Sequence, residues 1–182
     1  GQLVTDILYY YGNNAPTTLR TKPYSAKNPR GIEWNADNDT APDMGTQLPA
    51  GHDFHVCSEK VIAELAVNER GQLTHPSGAR YEILLLPDDP RMFPATLHKI
   101  AALAEAGATV VGPRPQRTAG LQFRGAGDAV VRDLADRMWG PAGAGQSANG
   151  NAFGRGRVFA AAPLTDVLRA RGIAPDFEYH PR

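Results

Sequence analysis

Two stretches of this chain concentrate side chains able to do chemistry. In "HDFHVC", residues 52–57, two histidines, an aspartate and the only cysteine fall within six positions. A thiol just ahead of a helix would have a lowered pKa, and Cys57 would then be a nucleophile with His52 or His55 as its base. Against this, ring and thiol two apart on a strand share a face without having to meet, and free cysteine is among the most often buried residues. The spacing of His52, Asp53 and His55 matches no established metal-ligand set. In "LLLPDDP", Asp88 and Asp89 follow an apolar run that ends where a helix should begin. Carboxylates at such a strand end can serve as acid and base, but turn chemistry alone accounts for Pro87, Asp88, Asp89 and Pro90.

The third candidate is glycine. "GAGQSANGNAFGRGR" is rich enough in glycine for a phosphate cradle, yet it lacks the lysine and hydroxyl residue of a phosphate loop and leads into a strand. It reads as a connector, and "GAGD" at residues 125–128 is a weaker match still. No cofactor and no metal is implied by any of these patterns.

The elements that must position these residues are legible from periodicity. Leu3 to Tyr11 is rich in β-formers and stops at Gly12, so Tyr9, Tyr10 and Tyr11 should alternate between two faces, and packing explains them unless the tip of Tyr11 reaches a crevice. From residue 15 to 51 no apolar period survives, which predicts a long irregular loop or insertion. Phe54 and Val56 predict a short strand, then Val61, Ile62 and Leu65 one helical face capped at Ser58 or a neighbour. "NERGQL" and "HPSGARY" read as turns, and Tyr81 to Leu86 as a central parallel strand. Pro94 opens a helix whose apolar side is Leu97, Ile100, Ala101 and Ala104, and Gly107 closes it. "ATVVG" is the next strand, and a helix over 128–139 turns Val131, Leu134, Ala135 and Met138 inward. "RVFAA" is a strand and "LTDVLRARG" the last helix, stopped by Gly172. This alternation predicts one α/β domain over 1–182, a three-layer sandwich with a mainly parallel, doubly wound sheet of flavodoxin type.

Composition narrows the function. With 182 residues and 42% hydrophobic composition, a core can be buried without disulfides. Lysine plus arginine and aspartate plus glutamate are equal at 19 each, so no net field attracts nucleic acid or an anionic membrane. No apolar run is long enough to span a bilayer. The single cysteine leaves the compartment open, and the chain starts at Gly1 with neither initiator methionine nor leader, so its natural start is expected to be removed or upstream.

The ordered motifs "VTDILYYYG", "PAGHDFHVCSEKVIAEL", "GQLTHPSGARYEILLLPD", "TLHKIAALAEAGATVVGPRP", "LADRMWG" and "GRGRVFAAAPLTDVLRARGIAPDFEY" resemble a region of the bacterial α-L-rhamnosidases of glycoside hydrolase family 106. The resemblance runs from about Val4 to Tyr179, except that the loop from Ala15 to Gln47 matches only in position. It implies a flavodoxin-like or class I glutamine-amidotransferase-like module following a catalytic barrel that holds the catalytic acids. The implied role is a noncatalytic accessory domain of a periplasmic or secreted glycosidase, with that barrel as partner and plant or bacterial glycans reached through the parent enzyme. Catalytic residues are then absent here, and Tyr11, Asp53, His55 and Asp88 are the candidates for substrate contact. Two positions depart from the family pattern: Cys57 ahead of Glu59, in a motif where relatives carry asparagine, and Asn13, where an acid often follows Tyr-Gly. "VVGPRP", the turn corresponding to an amidotransferase nucleophile elbow, has no cysteine or serine at its bend. The competing readings are a thiol-dependent hydrolase using Cys57 and a free-standing carbohydrate-binding module stacking a sugar on Tyr11, Trp34, Phe54 or Trp139.

Overall fold

The computed structural model describes residues 5–12, 51–120, 124–141, 149–160 and 162–175. The chain order is β1 (Ile7–Tyr10), β2 (Phe54–Cys57), α1 (Glu59–Glu64), β3 (Ala66–Val67), β4 (Leu73–Thr74), β5 (Arg80–Tyr81), β6 (Ile83–Leu85), α2 (Pro94–Ala106), β7 (Thr109–Val111), α3 (Arg124–Trp139), β8 (Asn151–Phe153), β9 (Gly156–Phe159) and α4 (Leu164–Ala170). A six-stranded sheet runs β2-β1-β6-β7-β9-β8. All neighbours in it are parallel except the β8–β9 hairpin at one edge. The expected pairing of the central runs holds, with Leu84 opposite Val110 in a parallel ladder.

The strand sequences explain why the sheet is covered on both faces. Ile7–Tyr10, Ile83–Leu85 and Thr109–Val111 are buried at every position, as runs without polar alternation should be. One face carries Leu8, Tyr10, Leu84 and Val110 against Ile62 of α1, Leu97 and Ile100 of α2, and Val131 and Leu134 of α3. On the other, Ile7, Tyr9, Ile83, Leu85, Val111 and Phe159 meet Leu164, Val167 and Leu168 of α4. The tyrosines divide as alternation requires: Tyr10 faces the three-helix layer, while Tyr9 and Tyr11 face the other.

Helix α2 begins with Pro94, whose missing N–H costs nothing in the first turn, and ends at Gly107 with φ +125°. Its inward residues are Thr96, Leu97, Ile100, Ala101, Leu103 and Ala104. Helix α3 buries Val131, Leu134, Ala135, Met138 and Trp139 in the spacing of one helical face.

Four expectations need correction. The first strand spans Ile7–Tyr10, with Thr5 and Asp6 outside it and residues 1–4 outside the described set. Helix α3 starts at Arg124 and not at Asp128. The turns "NERGQL" and "HPSGARY" join three two-residue strands, β3, β4 and β5, into a small antiparallel sheet. They are too short to leave a periodicity. The glycine-rich stretch contains β8, paired antiparallel with β9. Three residues among glycines gave no strand signal, and the pairing comes from tertiary contact. The loop expected over 15–51 lies outside the described residues up to residue 50, as does Trp34.

Candidate functional site

In a parallel sheet the turns that leave the carboxyl ends of the strands can shape a crevice, and connections that part to opposite sides open it. Here the chain leaves β1 for β2 on one side, and β6 lies on the other. At that point sit Tyr11, Gly12, Pro87 and Asp88. Gly12 has φ +86°, and a Cβ there would lie 3.2 Å from the Pro87 ring, so a side chain would have to fit a strained backbone against a rigid neighbour. Asp88 is exposed, while Pro87 is buried.

From Asp88 a cavity of about 300 Å³ runs across the sheet end. Leu85, Leu86 and Asp88 line it from the β6 side, Gly112 and Pro113 from the turn after β7, and Ala162, Pro163 and Leu164 from the entry to α4. Asp88 is the only acid among its described lining residues. The turn at Gly112 is fixed from several sides. Its N–H donates to the Phe159 carbonyl at 2.8 Å, and its own carbonyl accepts from Trp139 Nε1–H at 3.0 Å. With φ +146° and only 2.5 Å between a notional Cβ and Leu86 Cβ, residue 112 has to be glycine. At position 112 this bend therefore has no room for a side chain.

Asp89 is not free to act with Asp88. Its carboxylate accepts from the Arg91 side chain at 2.9 and 3.0 Å and from the Arg91 backbone N–H at 2.9 Å. The Asp89 N–H donates to the Pro87 carbonyl at 2.8 Å. "PDDP" is thus a turn whose second aspartate is tied back on itself. The paired carboxylates of the sequence become one clamped acid and one exposed acid. Beneath them, the Tyr9 hydroxyl is buried without a hydrogen-bond partner among the described residues. Burial, and then the negative charge of Asp88, push its pKa up to about 12.

The "HDFHVC" cluster lies elsewhere. Strand β2 runs parallel to β1 with Phe54 opposite Ile7 and Cys57 opposite Tyr10, so Asp53 and His55 belong to the amino half of the sheet. From Phe54 to Cys57 is three residues, about 10 Å of strand. His55 is used structurally: Nδ1 is 3.0 Å from the Tyr81 hydroxyl, Nε2 is 3.4 Å from the Thr5 hydroxyl, and the rings of His55 and Tyr81 meet edge to face. His52 Nδ1 lies 3.4 Å from the Asp6 carboxylate. Of the four candidates for substrate contact, Tyr11 and Asp88 share the carboxyl edge, and Asp53 and His55 do not join them.

Cys57 is 2% exposed, at the end of β2 in the three-helix layer. Burial raises its pKa to about 12, the opposite of the lowered value expected of a thiol ahead of a helix. Helix α1 is six residues long and Ser58 makes no side-chain cap, so little helix field offsets the loss of water. Trp139 is equally unavailable, being buried with its indole N–H committed to Gly112. Among the described residues no group of His, Cys, Asp or Glu is arranged to hold a metal ion. No described helix is long and apolar enough to cross a membrane.

The crevice lies where α/β proteins with parallel sheets hold ligands, and the chain matches a known family over its full length. The family model for the glycoside hydrolases named alpha-L-rhamnosidase, Glyco_hydro_106, covers residues 1–182, and the chain belongs to that family. A solved structure titled as a rhamnosidase from Novosphingobium sp. PP1Y superposes with a TM-score of 0.66 at 28% identity, covering 94% of this chain and 14% of that one. A curated relative from Formosa agariphila, described as a putative beta-glucuronidase, is 28% identical over 140 residues, 77% of this chain and 10% of the relative. The chain thus spans a small fraction of either.

Proposed function

We propose that this chain forms a noncatalytic accessory domain of an α-L-rhamnosidase-like glycoside hydrolase, packed beside the catalytic barrel with its carboxyl edge toward the substrate cleft. The observation that carries this reading is the state of the two aspartates. Glycosidic cleavage uses two carboxyl groups about 5 to 10 Å apart, facing each other across the bond. Asp89 is held by Arg91, and Asp88 has no second acid across the crevice among the described lining residues. Family membership over residues 1–182, together with coverage of 10% and 14% of the two relatives, supports a part of a larger glycosidase. The order of the five parallel strands, 2-1-3-4-5 when numbered along the chain, supports a flavodoxin-like domain. Tyr11 and Asp88 are the residues of this edge suited to touch a glycan held by the parent enzyme. The two relatives carry the names of enzymes for different sugars, so the sugar belongs to the barrel in this reading.

In the full-length polypeptide, Asp88→Asn should leave kcat within about twofold and raise KM a fewfold, the pattern of lost binding without lost chemistry. A fall in kcat of about a thousandfold with KM unchanged would make Asp88 catalytic and overturn the accessory role.

A further inference from the structure

A second cavity, of about 350 Å³, opens at the far end of α4, beside the starts of β7 and β9. It has the two ingredients of a small-molecule site, an apolar floor and a few polar groups on the rim. Phe159 and Val167 form the floor, and Thr109, Arg157, Asp166 and Arg171 the polar rim. It shares only Ala162 with the crevice, its polar residues are different ones, and it does not rest on the accessory-domain reading.

The charges on the rim do not cancel locally. Arg171 is neutralised by Glu82 at 3.2 Å and donates to the Thr109 hydroxyl at 2.8 Å. Asp166 is answered by Arg169 at 3.2 Å. Arg157 is different: its guanidinium donates to the Asn149 backbone carbonyl at 2.9 Å and has no carboxylate partner among the described residues. That contact uses one of five N–H donors and holds the fork in place without discharging it. We infer that this cavity binds a compact monocarboxylate, its carboxylate on the Arg157 guanidinium beside the Thr109 hydroxyl and its ring on Phe159 and Val167. A planar fork matches a carboxylate with two parallel hydrogen bonds. Inorganic phosphate has no apolar part to place on Phe159 and Val167, which favours a carboxylate carried on a ring.

The test is an amide-resolved NMR titration of the 182-residue chain with sodium benzoate, with benzamide as the neutral isostere and inorganic phosphate as the other oxyanion. The expected result is saturable shifts confined to Thr109, Arg157, Phe159, Val167 and Arg171 with benzoate. Benzamide and phosphate should bind at least about fivefold more weakly, and Arg157→Gln should weaken benzoate by about fivefold, the worth of one partly exposed ion pair. Arg157 is exposed, so the variant should keep the melting temperature of the parent. If it does not, the benzoate-to-benzamide ratio decides alone. Absence of saturable shifts at these residues, equal binding of benzamide, or full binding by a folded Arg157→Gln chain would remove the site. Tighter binding of phosphate would overturn the monocarboxylate assignment.

Discussion

The two ends of the central sheet are built on different principles. At the amino edge, polar side chains hold one another: His55 with Tyr81 and Thr5, His52 with Asp6, and Arg171 with both Glu82 and Thr109. At the carboxyl edge, the shape comes from backbone: Gly12 against Pro87, Gly112 against Leu86, and the turn after Pro87 pinned by Asp89 and Arg91. The residues that looked most reactive in the sequence are spent on joining strands, while the open crevice is outlined by glycine and proline with one exposed acid. The histidines of the sequence thus mark the amino edge, and the exposed Asp88 marks the carboxyl edge.

The comparison breaks most easily at Gly112. An alanine there would be strained at φ +146° and would collide with Leu86, so Gly112→Ala should cost about 2 to 4 kcal/mol in denaturant unfolding. A loss below 0.5 kcal/mol would mean that the carboxyl edge is not fixed by backbone shape.

Next in size is Cys57, at the carboxyl end of β2 but sunk in the core. Cys57→Ser should cost about 1 to 3 kcal/mol by burying a hydroxyl, and the native thiol should resist iodoacetamide. Its pKa is about 12 in the folded chain against an ordinary 9.0, so the folded state keeps the proton longer than the unfolded state. The stability tied to this proton is complete below about pH 9 and is lost as pH rises toward 12. Tyr9, raised from 10.0 to about 12, adds to the loss from pH 10 upward, and Tyr10 and Tyr81 shift in the same direction. In Cys57→Ser the alkaline decline should start about one pH unit later; an unchanged onset would show the thiol to be solvated.

The smallest pair of effects contrasts the edges directly. Tyr81→Phe leaves His55 short of a partner and should cost about 1 kcal/mol, whereas Asp88→Asn, on an exposed side chain, should change stability by less than about 0.5 kcal/mol. Equal costs would erase the distinction between a structural and an open edge.

Long, strongly patterned elements were readable in advance. The continuous apolar runs of β6 and β7 announced central parallel strands, and Pro94 and Gly107 bounded α2 to the residue. What escaped was whatever depends on contact across the chain. Asn151–Phe153 becomes a strand because β9 is there to pair with it. The burial of Cys57 did not escape: between a short apolar strand and a helix the residue reads as a small structural hydrophobe, and it is 2% exposed. Asp89 is removed from chemistry by a local arginine, which "PDDPR" did offer as a signal, since an aspartate two residues before an arginine can close a turn. The crevice itself was legible only as a rule about strand ends: Gly112, Pro113 and Leu164 meet there through the order of the sheet.

The central claim is that these 182 residues support a glycosidase without supplying its chemistry, and the most direct test is the hydrolysis of p-nitrophenyl α-L-rhamnoside by the isolated chain. The account predicts release of nitrophenol no faster than the buffer blank, with no change on Asp88→Asn. Clear turnover that disappears in Asp88→Asn would contradict it and make the carboxyl-edge crevice an active site.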